Sequence, residues 1–564
     1  MELTGAQILW QSLKDEGVDT VFGYPGGAVI DFYDALVQYD IRHILVRHEQ
    51  GAVHAADGYA RASGRVGVCM VTSGPGATNT VTGIATAYLD SIPMVVITGQ
   101  VPTKLIGNDA FQEVDIVGIT RPCTKHNYLV KDITKLERII KEAFYIARSG
   151  RPGPVLIDIP KDVTNSRTVY KAIKDIQMES YNPTYQPNNK QLSKVVSLIK
   201  EAKRPLIFTG GGVVLSKGSD ALTRLAKRTN IPVTASLMGL GSYPGTDEKL
   251  WLGMLGMHGT FRANMATSNC DLMLAIGVRF DDRVTGKTDE FATKATIVHV
   301  DIDPTSIHKN VIVDVPVVGD CRLTLEALNE LLDAEDPAQI GPERSEWLGQ
   351  IQKWKDTNPL RYKQDGCDTI KPQYVVEKLF EVTKGNAIIS TEVGQNQMWA
   401  AQYYHFDKPN QWLTSGGLGT MGYGFPAAIG AQMACPDRLV VDVAGDGSIQ
   451  MNIQEMATAV QNGLPVKIVI LNNQYLGMVR QWQELFYKKN YSQTDMTHAP
   501  DFVKLAEAYG AKGFRTAKPE EVEAVLKKGI ETPGPVIMEF VVCREECVYP
   551  MVPAGAPITN MLLV

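Results

Sequence analysis

Ten short runs along the chain are almost unbroken β-branched and other apolar sequence: VGVCMVTSG, MVVITGQ, PVLIDIP, RPLIFTGGG, LMLAIGV, ATIVHVDID, AIISTEVG, LVVDVAGDG, VKIVILNN and PVIMEFVV. A strand with one wet face alternates polar and apolar residues, and these do not. Near-continuous apolarity closed by Gly or a polar turn is what strands buried on both faces of a parallel sheet require. Parallel neighbours cannot be joined by a tight turn, so the helical patterns between the runs supply right-handed crossovers. The fold class is therefore α/β, with doubly wound parallel sheets. At 564 residues the chain is too long for one core, and three such domains are expected.

Two stretches break the rhythm. One spans 166–190 and carries SYNPTYQPNNK; the other spans 336–370, enters through DAEDPAQIGPE and carries Trp347 and Trp354. Both read as connections, the second partly helical. The expected folded units are then 1–165, 191–335 and 371–550, with 551–564 as a C-terminal tail. With 56 basic against 62 acidic residues the net charge is −6, and no Lys/Arg run stands out, which argues against nucleic acid or an anionic membrane as partner. The eight cysteines form no paired frame, as expected of reduced thiols. The start, MELTGAQILWQSLKDEGV, has neither signal-peptide nor transit-peptide character, so a cytoplasmic location is expected. The uncharged stretch Val66–Leu89 is broken by Ser73-Gly74-Pro75-Gly76 and is no membrane span.

The chemistry is most legible in the last third. LVVDVA runs into Gly445-Asp446-Gly447-Ser448, a helical stretch follows, and VKIVIL ends at Asn472-Asn473, with 24 residues between Gly447 and Asn472. A βαβ unit of that length sets Asp446 and Asn473 at the carboxyl ends of two parallel strands, where open sheets bind ligands. Their oxygens are hard donors suited to Mg²⁺ shared with a diphosphate, and the glycines let backbone N–H groups approach phosphate. This spacing resembles the thiamine-diphosphate signature of the decarboxylase and carboligase superfamily. The resemblance implies Asp446, Asn473 and the Tyr475 carbonyl on the metal. It also implies Gly445, Gly447, Ser448, Leu476, Gly477 and Met478 around the cofactor in a diphosphate-binding domain, 371–550.

Thiamine chemistry also needs a carboxylic group hydrogen-bonded to the far nitrogen of the aminopyrimidine, so that the C2 proton can leave. Glu49 in LVRHEQGAVHAADGYARASG fits that need. Alone it would be read as solvated surface, but the phrase resembles the pyrimidine-side motif and makes 1–165 the pyrimidine domain. The small-residue helix after it, Ala52–Ala62, is expected to pack against the cofactor. Met421 in SGGLGTMGYGFPAAIGA resembles the apolar wedge that bends the cofactor, although read alone it is core filler. Val393, Gly394 and Gln395 in TEVGQNQMWAA, with Gly419, match the loops beside it. In this superfamily different subunits bind the two cofactor halves, so a homodimer or tetramer is implied.

Longer phrases in all three units, among them VFGYPGGAVIDFYDAL, GQVPTKLIGNDAFQEVDIVGITRPCTKH, GVRFDDRVTGK and NNQYLGMVRQWQELFY, narrow the resemblance to the biosynthetic acetolactate (acetohydroxyacid) synthase large-subunit family. That family decarboxylates pyruvate and joins the two-carbon unit to pyruvate or 2-oxobutyrate, in branched-chain amino-acid biosynthesis. Arg283 matches the cation for the acceptor carboxylate, although RFDDR alone would be read as a surface ion-pair cluster. Trp482 matches the aromatic that favours 2-oxobutyrate; Gly27, Phe111, Gln112 and Lys161 match channel residues, and Met478 a closing loop. The middle unit, 191–335, would bind FAD without net redox. The residues implied there are Arg151, Gly210-Gly211-Gly212, Leu255-Gly256-Met257-His258, Gly277-Val278-Arg279, Asp301-Ile302 and Asp320. A separate small regulatory subunit is also implied. Two alternatives stay open: a pyruvate oxidase-like enzyme that reduces FAD, and a non-catalytic cofactor-binding subunit.

Overall fold

A computed structural model describes residues 2–335, 340 and 343–563. It contains three six-stranded sheets in which every pairing is parallel. Edge to edge, the first runs Arg42–Leu45, Thr20–Tyr24, Gly67–Val71, Met94–Gln100, Pro154–Pro160, His126–Leu129. The third runs Trp412–Leu413, Ile388–Thr391, Val440–Gly445, Lys467–Asn472, Val536–Val541, Lys512–Thr516. Numbered in chain order within each sheet, both read 2-1-3-4-6-5. The middle sheet runs Trp251–Met254, Val233–Ala235, Pro205–Thr209, Leu272–Ile276, Thr296–Asp301, Val315–Val318 and reads 3-2-1-4-5-6, the order of dinucleotide-binding sheets.

All ten apolar runs form strands, and none lies at a sheet edge. Their neighbouring residues feed opposite cores. Val68 and Met70 pack on one face of the first sheet, Cys69 and Val71 on the other. Val441 and Val443 face one core of the third sheet, and Val440 and Ala444 the other. Each such burial stabilises by roughly 1.5–3 kcal/mol for a large aliphatic side chain, and the polar residues these strands do carry, such as Asp158 and Asp442, are buried with them.

The small-residue helix that begins at Glu49 packs on another helix along its length. It spans Glu49–Ser63 and lies along the helix Gly424–Ala434 of the third domain. A Cβ on Gly58 would fall on the Ala427 carbonyl, and one on Gly430 on the Ala55 carbonyl, so the two backbones touch. Beside the contact, buried Arg61 pairs with Asp57 (2.6 Å) and Asp90 (2.9 Å). The Tyr423 hydroxyl donates to Asp57 (2.6 Å), and the Gly417 N–H donates to Asp90 (2.7 Å). A buried cation is tolerated here because both carboxylates and their remaining oxygens are engaged.

Residues Arg167–Val169 pair antiparallel with Glu2–Thr4, and a helix begins at Asn189. Of the connection expected over 336–370, residues 336–339 and 341–342 lie outside the described residues. Its helical part is Ser345–Thr357, where Trp347 is buried and donates its ring N–H to the Pro205 carbonyl (3.1 Å). The tail crosses back onto the middle domain: the Val552 N–H donates to the Met257 carbonyl (2.8 Å), and Ala556 accepts from the Lys287 N–H (3.1 Å). Among the described residues no helix is long and apolar enough to cross a membrane.

Candidate active site

In each sheet the chain first leaves a strand to one side and later resumes on the other, and the loops that diverge there open a crevice. In the third sheet this point lies between Ile388–Thr391 and Val440–Gly445, whose loops begin Glu392-Val393-Gly394 and Asp446-Gly447. In the middle sheet it lies between Pro205–Thr209 and Leu272–Ile276, followed by Gly210-Gly211-Gly212 and Gly277-Val278-Arg279. In the first it lies between Thr20–Tyr24 and Gly67–Val71.

In the third-sheet crevice Asp446 is 1% exposed, and among the described residues neither carboxylate oxygen has a partner at full hydrogen-bond geometry, only the backbone N–H groups of Asp446, Asn473 and Gln474 lying nearby. Burial pushes its pKa up to about 7. Asn473 donates from its amide nitrogen to Gln395 (3.0 Å) and accepts from the Tyr475 N–H (3.2 Å), which fixes its carbonyl oxygen. A cavity of about 80 Å³ adjoins them, lined by Val393, Gly394, Met421, Gly445, Gly447, Ser448, Tyr475, Leu476, Gly477 and Met478. Glycine makes this space: a Cβ on Gly477 would strike the Gln395 amide, and one on Gly447 would come within 2.7 Å of Leu476 Cδ2. A buried carboxylate with both oxygens free is costly unless a cation or proton meets it. Among the described residues no three His, Cys, Asp or Glu side chains converge as a metal cluster. What remains is an oxygen donor set, which fits Mg²⁺ that takes its other ligands from phosphate and water.

The middle-sheet crevice opens into a larger cavity of about 590 Å³, walled by all three domains. Arg151, Gly211, Gly212, Leu255, Met257, His258, Gly277, Val278, Arg279, Asp301, Ile302 and Asp320 line it. Arg151 pairs with Asp303 (3.2 Å) and donates to Ser91 (2.8 Å). Burial pushes Asp301 up to about 6 and His258 down to about 4. Arg151 and Arg279 with Asp301 and Asp320, among the four guanidiniums and four carboxylates that line this space, fit a dinucleotide, the cations for phosphates and the acids for ribose hydroxyls. Two expected residues have other work. A Cβ on Gly210 would fall on the Gly277 carbonyl, so that glycine serves strand-to-helix packing, and neither Gly210 nor Gly256 lines the cavity. Gly256 has φ +107, and a Cβ there would fall on the Arg283 carbonyl.

Arg283 and Trp482 meet at this cavity, the guanidinium 5.9 Å from the indole centroid. Arg283 is more than half exposed, and its one ion pair, to Asp282, is a loose 3.7 Å. Val393, Gly394, Met421 and Met478 line both cavities, so the two spaces adjoin through a shared wall, with Gly419 on the larger.

The remaining expected residues lie apart, at the first-sheet crevice. Glu49 begins its helix and accepts from the Asn79 amide (2.9 Å). Lys161 donates to the Gly27 carbonyl (2.8 Å), Gln112 has φ +60 and packs its backbone on Gly74, and Phe111 is 88% exposed. Neither of the two cavities is lined by any of these five residues.

Family models match along the chain in the same order. The thiamine pyrophosphate enzyme N-terminal TPP-binding domain covers residues 3–119, the central domain 192–328 and the C-terminal TPP-binding domain 392–540. The acetolactate synthase large subunit of Haemophilus influenzae is 50% identical over 100% of this chain and 98% of its own length. The Escherichia coli isozyme 3 large subunit is 51% identical with the same coverage. A chloroplastic acetolactate synthase of Nicotiana tabacum is 49% identical over 99% of this chain and 84% of its own. The chain belongs to the acetolactate synthase large-subunit family.

In this acetolactate synthase large-subunit chain two buried acids escaped the sequence reading. Glu392 is fully buried and accepts from the Gly422 N–H (2.8 Å), the Phe425 N–H (3.1 Å) and the Ser448 hydroxyl (2.5 Å). It thereby ties the turn that carries Met421 to the loop that carries Asp446. Burial raises its pKa, and that of neighbouring Asp442 further still. Glu455, from the third domain, accepts from the backbone N–H groups of Arg47 and His48 (both 3.0 Å) and so braces the approach to Glu49. Its one visible signal was position, since no spacing separates a buried acid from a solvated one.

Proposed function

We propose that this chain is a catalytic acetolactate synthase subunit. It would decarboxylate pyruvate and ligate the two-carbon fragment to a second pyruvate, giving 2-acetolactate, or to 2-oxobutyrate, giving 2-aceto-2-hydroxybutyrate. The observation that carries this reading is the shared wall of Val393, Gly394, Met421 and Met478, which joins the Asp446 crevice to the cavity where Arg283 and Trp482 meet. Thiamine diphosphate, when bound, supplies the nucleophilic carbon that carries the fragment.

In this reading Asp446, Asn473 and the Tyr475 carbonyl hold Mg²⁺, and Gly445, Gly447, Ser448, Leu476 and Gly477 border the diphosphate. Met421, with Val393, Gly394, Gln395 and Gly419, shapes the space beside the rings. Arg283 grips the acceptor carboxylate, for which a planar guanidinium offers a bidentate fork. Trp482 meets the extra methyl group of 2-oxobutyrate, a contact worth about 1–3 kcal/mol of discrimination. FAD occupies the larger cavity without net redox.

Glu49, Gly27, Phe111, Gln112 and Lys161 lie away from both cavities of their own chain, which supports a homodimer in which each site takes them from the other copy. Domains 1–165, 191–335 and 371–550 then bind pyrimidine, flavin and diphosphate, with 166–190 and 336–370 as connections and 551–564 as a tail. The name "large subunit" among relatives supports a separate small regulatory chain, and a cytoplasmic setting accompanies this metabolic role.

The test is an anaerobic incubation of the purified protein with pyruvate, Mg²⁺, thiamine diphosphate and FAD, following flavin absorbance and product together. Acetolactate and CO₂ with the flavin still oxidised are expected. Bleaching of the flavin with acetate or acetyl phosphate as product would overturn the reading in favour of an oxidase, and cofactor binding with no turnover would leave a non-catalytic subunit.

A further inference from the structure

A second large cavity, about 520 Å³, lies between the middle and third domains and shares only Met254 with the flavin-side one. Gln352 and Lys355 of the helix Ser345–Thr357 line it, together with Pro359 and Leu360. So do Thr260 and Arg262 at the start of the helix Phe261–Asn269, and the run Tyr403–Phe406. Its size lies within the roughly 300–1,000 Å³ of small-molecule sites.

Its charges are unbalanced. The Arg262 Nε is buried without a hydrogen-bond partner, and among the described residues no carboxylate forms an ion pair with that guanidinium. Burial alone pulls its pKa down to about 10. Lys355 donates to the Glu248 carbonyl (2.5 Å), and burial, then the charge of Arg262, lowers it to about 8. His405 is lowered by burial and by Arg262 in the same way. The acids of the cavity are largely engaged: Asp247 accepts from Tyr243 (2.6 Å) and from the Lys249 and Leu250 N–H groups, and Glu377 from Tyr362. Asp247 and Glu248 partly offset Lys355, and Asp407 offsets His405, but nothing offsets Arg262. Trp251, Tyr403 and Phe406 supply apolar wall.

We propose that this cavity binds a small anionic ligand, its carboxylate or phosphate held by Arg262 with Lys355 beside it. A half-buried guanidinium whose Nε is sealed from water without a partner is costly, and a bidentate oxyanion removes that cost with two charge-assisted hydrogen bonds. Because the walls come from two domains, occupancy would fasten them together and raise the unfolding temperature. The inference is independent of the activity proposed above.

The test uses the full chain with Mg²⁺, thiamine diphosphate and FAD, titrated with inorganic phosphate or with succinate at constant ionic strength, chloride serving as control. A saturable rise in unfolding temperature is expected with at least one probe, and the responding probe tells phosphate from carboxylate recognition. Arg262→Met should weaken the apparent affinity at least about tenfold, Arg262→Lys and Lys355→Met less, with turnover unchanged in all three. No saturable rise with either probe, a rise matched by chloride, or equal titrations of wild type and Arg262→Met would overturn the proposal. Should Arg262→Met fail to fold, undiminished affinity in both Arg262→Lys and Lys355→Met would overturn it equally.

Discussion

The first and third domains share a strand order, and their helices Glu49–Ser63 and Gly424–Ala434 pack backbone to backbone, yet each treats the acid at its crevice differently. Glu49 stands half-buried at a helix start with one amide donor from Asn79. Asp446 is sealed from water, and among the described residues no side-chain donor meets either oxygen. The first arrangement leaves an acid within reach of a neighbouring group; the second suits a carboxylate that a cation completes. Topology decides where a crevice opens, and the solvation of the loop at its lip decides what chemistry the crevice can host.

The sharpest way to break this comparison is to neutralise each acid in turn. Glu49→Gln and Asp446→Asn should each lower turnover by about a thousandfold or more. Only Asp446→Asn should also lose Mg²⁺-dependent thiamine diphosphate binding, as read by calorimetry. If each site draws its two acids from different copies, chains of the two variants paired at random should recover about a quarter of wild-type activity, because half the dimers carry one intact site. Failure of the mixture to recover would sink the two-copy site.

A smaller effect tests the contact that couples the two domains. Gly430→Val forces a side chain into the Ala55 carbonyl and should cost about 3 kcal/mol in urea unfolding. Unchanged stability would mean that the helices can part cheaply.

The smallest effect is a pH dependence. Burial pushes Glu455 from the usual 4.5 up to about 6. The folded state then holds that proton more tightly than the unfolded chain does, so its contribution is complete below the unfolded value and fades as pH rises through the folded one. The loss amounts to roughly 2 kcal/mol. Unfolding midpoints compared near pH 4.5 and near pH 6.5 should fall more steeply in the wild type than in Glu455→Gln. Parallel slopes would assign the dependence to other groups.

The legible part of the fold was its interior. The ten apolar runs were readable because both faces of each strand are buried. Trp412–Leu413 and Val233–Ala235 are too short to carry a pattern, and Lys512–Thr516 is an edge strand whose outward residues meet solvent. At the site, Asp446 and Asn473 were visible because a crossover of fixed length separates them, and the structure sets both at one crevice. Glu392 was not visible, since its role rests on three donors that come from residues 422, 425 and 448. The helix after Glu49 shows a similar limit: its small residues announce a close neighbour without saying that the neighbour is the helix Gly424–Ala434.

The touching helices carry a consequence for traffic. Two backbones in contact can neither slide nor roll past one another, so the first and third domains of a chain travel as one block. Passage of substrate and product must then depend on segments that are not pinned. The helix Gly477–Phe486 buries only Arg480 and Gln481, and Phe111 is exposed in the single chain. What is lightly buried can shift while the paired helices hold the frame still.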